Sequence, residues 1–361
     1  MSPFIRFPEF TGEWEKCKIE DITDAVSSGK SKNHFSNGEY NLYGSTGIIG
    51  RTDKALYDGK LVLVARVGAN AGFLQIINEP CGITDNTLIL KPKGIDAFYL
   101  YYFLQHFNLN RLIFGSGQPL ITGGMLKKVK VSLGTISEQS KIVKFLSLLD
   151  ERIAVQSRLI EDLKKLRCAI VEKMFKQSKA NGRLGDFIEQ VSVRNKNGLY
   201  SNVLSVSNKQ GFVKQSEQFE DRTVASEDTS NYKIVKRNNF AYNPARINVG
   251  SIARLTKFDV GIVSPMYVCF RTKASIIPEY MEAFFTSQQF FYEMMKRLEG
   301  SVRLCLSYEG LCNIPVYIPD MNKQIAMGQN ISLILSKIGL EIEYLGRLHQ
   351  QKQYLLRKMF I

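Results

Sequence analysis

A chain of 361 residues with 44% hydrophobic content is long enough for two domains that each bury their own core. Its 48 Lys and Arg against 34 Asp and Glu leave a formal charge of +14, which favours a polyanionic partner, nucleic acid first and an anionic membrane surface second. No apolar run approaches the ~20 residues of a membrane-spanning helix, Met1 to Phe10 carries charges and two prolines where a signal peptide needs an apolar core, and six scattered cysteines with three histidines show neither C-x-x-C nor metal-ligand spacing. A soluble, cytoplasmic chain with free thiols, no membrane association and no metal is expected.

The first segment, Arg6 to about Leu133, mixes short β-type runs such as Leu61 to Val67 and Thr87 to Leu90 with Gly and Asn turns. Apolar and aromatic residues from Ala97 to Phe107 predict a short helix. Thr135, with Glu138 three residues on, forms a capping box that opens a long helix. From there apolar residues recur at steps of four and three: Ile142, Leu146, Leu149, Ile153, Ile160, Leu163, Ile170 and Met174, with Gln156 and Arg167 at the two remaining seam positions. This is a heptad repeat. Near Ser178 to Gly185 the periodicity gives way to Lys, Asn and Gly.

The second segment, about Gly182 to Ile318, repeats the order of events. Leu184, Gly185 and Asp186 resemble Ile19, Glu20 and Asp21; Ala245 and Arg246 echo Ala65 and Arg66; Tyr280 to Phe291 predicts another short aromatic helix. Gly115 and Ser116 return as Gly300 and Ser301, and the same offset of 185 carries Phe175 to Phe360. Along Lys323 to Phe360 it lands on Met327, Ile331, Ile334, Ile338, Leu345, Leu348, Leu355 and Met359, and the polar interruptions land on Glu341 and Lys352.

The expected fold class is therefore α+β: two duplicated α+β domains separated by two long helices that pair as an antiparallel coiled coil. The boundaries read as 1–134 for the first domain, 135–178 for the first helix, 179–319 for the second domain and 320–361 for the second helix. A register that sets Arg167 against Glu341 also sets Gln156 against Lys352, so that no charge faces a purely apolar layer. In that register the overlap from Leu149 to Met174 is about 38 Å at ~1.5 Å per residue, close to the ~34 Å of one DNA turn.

Catalytic motifs do not stand out. Tyr242, Asn243, Pro244 and Ala245 approach the Asn-Pro-Pro pattern of an amino-methyltransferase but lack its second proline, and neither a G-x-G-x-x-G loop nor a Walker loop occurs. A non-catalytic binding protein is the better expectation. Gln118 and Arg303 hold equivalent places after the recurring Gly-Ser, and these side chains suit adenine and guanine edges by bidentate hydrogen bonds. Arg66 and Arg246 follow strands and suit phosphate. Lys30, Lys32, Asn33, His34 and Arg194, Lys196, Asn197 are basic, amide-rich loop positions at matching places. Solvated turns and structural ion pairs are the alternative reading of all of them.

The chain resembles the DNA specificity (S) subunits of type I restriction-modification systems. The resemblance rests on the repeated domain-and-helix order, on Arg6, Phe7, Pro8, Phe10 and Trp14, on Tyr242 to Ile252 (YNPARINVGSI), on Gly115 to Gln118, and on Glu138, Gln139 and Ile142. It departs at the helix entries, where Gly134 answers Pro319 and Lys323 answers Glu138. The resemblance implies a recognition subunit that binds double-stranded DNA at a bipartite target, one half-site per target-recognition domain, across a nonspecific spacer. It implies two methyltransferase subunits and two restriction subunits as partners, with S-adenosylmethionine, ATP and Mg belonging to them and no cofactor in this chain. The competing reading is a coiled-coil adaptor without DNA specificity, which leaves the +14 charge unexplained.

Overall fold

A run of apolar residues with no polar interruption needs a strand covered on both faces, and Leu61–Ala65 is such a run with every residue buried. The structure, a computed structural model, describes residues 3–32, 37–113, 119–176, 179–208, 210–218, 228–301 and 303–361. It is mixed α and β with open sheets, and it divides into two compact units. One comprises the residues up to Ser157 together with Glu343–Ile361, the other Arg158–Ile342.

In the first unit the chain forms β1 (Glu15–Lys18), β2 (Thr23–Ser28), β3 (Tyr40–Gly44), β4 (Gly47–Thr52), β5 (Lys60–Ala65), β6 (Leu74–Asn78), β7 (Cys81–Ile83) and β8 (Thr87–Pro92). Then come α1 (Ala97–Phe107), α2 (Gly123–Lys127) and β9 (Lys130–Leu133). An antiparallel sheet runs β2-β8-β5-β6, a smaller one β4-β3-β7, and β1 pairs with β9. Successive side chains on β5 point to opposite faces. Val62 and Val64 pack with Tyr99, Leu100, Phe103 and Leu104 of α1, whereas Leu61 and Leu63 pack with Cys81 and Ile83 of the smaller sheet. The expected helix at Ala97–Phe107 is present because Asp96 caps it, accepting from the Phe98 and Tyr99 N–H groups, and Asn108 ends it at φ +57°.

The long α3 (Ile136–Lys176) opens as the Thr135 hydroxyl accepts from the Glu138 N–H at 3.3 Å. The expected capping box is thus half present. The Glu138 carboxylate, fully buried, instead accepts from Nε and Nη2 of Arg6 at 2.7 and 2.8 Å. A guanidinium fork matches both oxygens and supplies a full charge, which a single backbone N–H does not.

The second unit contains β10 (Gly182–Arg183), α4 (Leu184–Phe187), β11 (Ile188–Gln190), β12 (Val203–Ser207), β13 (Gly211–Lys214), α5 (Gln215–Gln218), β14 (Lys233–Lys236) and β15 (Phe240–Tyr242). It continues through β16 (Ile252–Arg254), β17 (Val260–Val263), β18 (Val268–Thr272), α6 (Pro278–Phe285), α7 (Gln288–Met295), α8 (Tyr308–Cys312) and β19 (Pro315–Val316). Two four-stranded sheets, β11-β18-β15-β16 and β13-β12-β17-β14, enclose Leu204, Phe212, Val235, Ala241, Val263 and Cys269. The single short helix expected over Tyr280–Phe291 is two helices. Ser287 breaks the run because its hydroxyl caps a new start, accepting from the Phe290 N–H at 3.1 Å.

The last helix is α9 (Met321–Met359). Every apolar position of the heptad pattern in α3 and α9 is buried or half-buried. In the first unit Ile142, Leu146 and Leu149 share a core with Leu348, Leu355, Met359 and Phe360; in the second, Val171 and Phe175 share one with Ile331. Among the described residues no helix is long and apolar enough to cross a membrane.

Candidate nucleic-acid interface

The second unit holds a groove of about 880 Å³ whose walls come from distant parts of the chain. After β15 the backbone turns through Asn243, whose side-chain oxygen accepts from the Ala245 N–H at 3.1 Å, and closes a one-turn helix, Ile247–Val249, that ends at Gly250 with φ +89°. Asn is suited to such a turn because its side chain imitates a backbone acceptor. The turn places Arg246, exposed, on the groove wall. A second segment reaches the same wall from the far end of the unit: Leu306 N–H donates to the Pro244 carbonyl at 3.1 Å, and Glu299 and Cys305 exchange both backbone hydrogen bonds. Between them Gly300 adopts φ +117°, where a Cβ would stand 2.3 Å from the Arg303 carbonyl oxygen, so only glycine fits this bend. Arg303, exposed, therefore lines the groove that Arg246 lines.

The structure thus brings together two cations that lie 57 positions apart in the sequence. Ser205, Gln215, Asn243, Asn248, Ser264 and Met266 complete its polar and soft lining. Cationic walls with amide and hydroxyl groups between them are the chemistry that phosphates and base edges require. Arg194, Lys196 and Asn197 are exposed but do not line the groove. Arg194 donates to the Asn231 side chain at 3.1 Å, and the buried Asn195 pins the loop by bonding the Tyr200 backbone in both directions.

In the first unit β8 lies between β2 and β5, and its start organises the basic positions. The Gly29 N–H donates to the Thr87 carbonyl and the Arg66 N–H to the Asn86 carbonyl, each at 2.9 Å, so the ends of β2 and β5 lie on either side of β8. Lys30 and Lys32 are exposed and flank Ser31, which is buried and accepts from the Ile83 N–H. Arg66 is half-buried, and its Nε is buried without a hydrogen-bond partner among the described residues. The Ile121 N–H donates to the Arg66 carbonyl and the Gly68 N–H to the Pro119 carbonyl, which lays Pro119–Ile121 beside Arg66. Asn33, His34 and Gln118 lie outside the described residues.

The helix positions have separate environments. Gln156 is buried. Lys352 reaches the Asp150 carboxylate at 2.6 Å and lies 5.4 Å from the Tyr102 ring, while the Tyr102 hydroxyl donates to the other Asp150 oxygen at 2.9 Å. The register read from the polar positions set Lys352 against Gln156; its ion pair is with Asp150, and a carboxylate offers an ammonium a full opposite charge where an amide offers a dipole. Glu341 pairs with Lys337 one turn earlier on its own helix. Arg167 is half-buried near Glu282. Burial pushes the Glu282 carboxyl up, opposed by the Arg254 guanidinium that hydrogen-bonds it and more weakly by Arg167.

No local pattern in the sequence marks Gln215, Asn248 or Met266 as groove residues: Asn248 lies within the run Tyr242 to Ile252, and Gln215 and Met266 join it only when separate strands fold together.

Residues 11–165 match the family model described as the type I restriction modification DNA specificity domain. A Mycoplasma genitalium protein assigned as a type I specificity subunit is 28% identical over 176 residues, 46% of each chain. The specificity subunit of the type I restriction enzyme EcoprrI of Escherichia coli is 28% identical over 112 residues, 31% of this chain and 28% of that one. The chain thus spans less than half the length of these relatives. In fold, it is similar to the crystal structure of a type I restriction-modification S subunit from M. genitalium, with a TM-score of 0.64 and 20% identity over 100% of this chain and 99% of that one.

Proposed function

Because this chain belongs to the DNA specificity family of type I restriction-modification systems, we propose that it is the sequence-reading subunit of such a complex and performs no catalysis itself. It binds double-stranded DNA at a bipartite target, one half-site on each of two target-recognition domains (1–134 and 179–319), with a nonspecific spacer between them. Two methyltransferase subunits and two restriction subunits assemble on it in the cytoplasm. S-adenosylmethionine, ATP and Mg belong to those partners.

The observation that carries this reading is the groove in which Arg246 and Arg303 meet among amides and hydroxyls. In the first unit Arg66 takes the part of Arg246 and, by the sequence repeat, Gln118 that of Arg303, while Lys30, Lys32, Asn33 and His34 take that of Arg194, Lys196 and Asn197. Arg194, Lys196 and Asn197 act at the margin through phosphate. Such contacts position the duplex, and groups inside the groove discriminate bases.

The duplication belongs to the same proposal and is supported by hydrogen bonds that recur in the two units in the same order along the chain. Gln139 Nε2 donates to the Gly134 carbonyl and Gln324 Nε2 to the Pro319 carbonyl, both at 2.9 Å and both pairs 185 positions apart. The Tyr99 hydroxyl donates to the Ser132 carbonyl at 2.9 Å and the Tyr280 hydroxyl to the Tyr317 carbonyl at 2.7 Å. Lys18 and Arg183 N–H groups each donate to the aspartate three residues on, at 2.8 Å. Long helices that exchange their ends fit this symmetry: α3 and α9 act as an antiparallel coiled coil (135–178 with 320–361) that sets the spacer, with Gln156, Arg167, Glu341 and Lys352 as its polar positions.

The test is mapping of methylated adenines in cells carrying this chain with its methyltransferase subunits, and in cells from which this chain has been deleted. A split motif with a fixed gap, lost on deletion, is the expected result. Methylation that persists unchanged without the chain would overturn the proposal. Purified complex carrying Arg246→Ala should in addition lose about one unit of the slope of log affinity against log salt, as one phosphate contact does.

A further inference from the structure

A groove that only clamped phosphate would need cations on its walls and nothing particular between them. In the second unit the space between Arg246 and Arg303 is furnished with two side-chain amides that have spare hydrogen-bonding capacity. Asn248 sits in the middle of the Ile247–Val249 turn, whose backbone is closed by Val249 and Gly250 N–H groups donating to the Arg246 and Ile247 carbonyls. Its own amide makes no hydrogen bond among the described residues. Asn243, by contrast, is committed, with its oxygen on the Ala245 N–H and its nitrogen on the Met266 sulfur. Gln215 enters from the start of α5, and its side-chain oxygen is buried with no hydrogen-bond partner among the described residues. An acceptor in that condition lacks a donor that a ligand can bring. Met266 is 61% exposed and lines the same groove with a largely apolar side chain.

We propose that Gln215 and Asn248 read base edges of the half-site bound by the second unit. Each side chain offers one acceptor and one donor in the geometry that matches adenine N6 and N7, and Met266 supplies the apolar contact suited to a neighbouring thymine methyl. Arg246 and Arg303 hold the duplex so that the major-groove edges face these three residues. The inference rests on the DNA-recognition reading above and adds which positions determine sequence.

The experiment uses the full chain, purified with its methyltransferase subunits, to select from a randomised duplex library, with the bound DNA sequenced. Wild type should enrich a split motif. Asn248→Ala and Gln215→Ala should each relax preference at one position of one half-site by on the order of tenfold, leaving the other half-site and the thermal unfolding midpoint unchanged. Asn248→Asp, which keeps the shape and loses the donor, should move its position from adenine towards cytosine, whose N4 amine a carboxylate accepts. An unchanged motif in these variants overturns the inference while the functional reading stands. Equal weakening on all sequences also overturns it, because the contact is then to phosphate or to the fold. A wild-type complex that enriches no split motif overturns the functional reading, and this inference with it.

Discussion

Arg6 and Glu138 stand 132 positions apart and form one of the most buried ion pairs among the described residues, with side chains 14% and 0% exposed. A pair of this kind is weak evidence for net stability, yet removing one partner leaves a charge stranded away from water. Arg6→Ala is therefore expected to cost about 3–5 kcal/mol. Trp14 is the sole tryptophan, is 5% exposed and lies in the same core, so its fluorescence during urea unfolding reports this unit. A transition midpoint unmoved in Arg6→Ala would show that the pair is dispensable. Arg6→Lys should recover only part of the loss, because an ammonium cannot engage both carboxylate oxygens as a planar fork does.

Elements are held in place by aromatic side chains at helix ends. Phe360, one residue beyond α9, packs 5.3 Å from the Tyr99 ring and 6.2 Å from Phe103, both on α1. Phe175, one residue before the end of α3, packs 5.3 Å from Tyr280 and 5.2 Å from Phe284, both on α6. Each phenylalanine is almost wholly buried, so truncation removes apolar burial and leaves a cavity. Phe360→Ala should destabilise the first unit by about 3–5 kcal/mol and shift the Trp14 transition. Phe175→Ala should cost the second unit about as much and leave that transition in place. Equal effects of the two variants on Trp14 would mean that the units unfold as one. The break between α6 and α7 belongs to this scale too: hydrophobic pattern alone joins Tyr280 to Phe291, whereas the Ser287 cap separates them.

At the scale of the whole molecule, the first unit joins two separate stretches of the chain and the second is one continuous stretch, yet each takes a section of α3 and a section of α9. A change in helix length is then a change made to both units at once. Inserting one heptad into each helix adds about 10 Å at ~1.5 Å per residue, or roughly three base pairs at ~3.4 Å each. On the proposed function the methylation motif should keep both half-sites and gain about three nonspecific positions. Altered half-sites with an unchanged gap would remove the helices from the role of spacer.

Sequence alone determined the long helices, because a heptad stripe is a local pattern and its apolar positions must leave water wherever the partner lies. It also determined the strand Leu61–Ala65 and the helix at Ala97–Phe107, both of which depend on neighbours within a few residues. It did not determine that the Glu138 carboxylate serves Arg6, or that Lys352 pairs with Asp150, since charged groups take whichever opposite charge folding brings nearest. The groove was the least legible feature. Its lining comes from β12, α5, the turn after β15, the β17–β18 connection and the segment beyond α7. No spacing along the chain records which side chains will share one wall; only tertiary structure sets Gln215, Asn248 and Met266 beside Arg246 and Arg303.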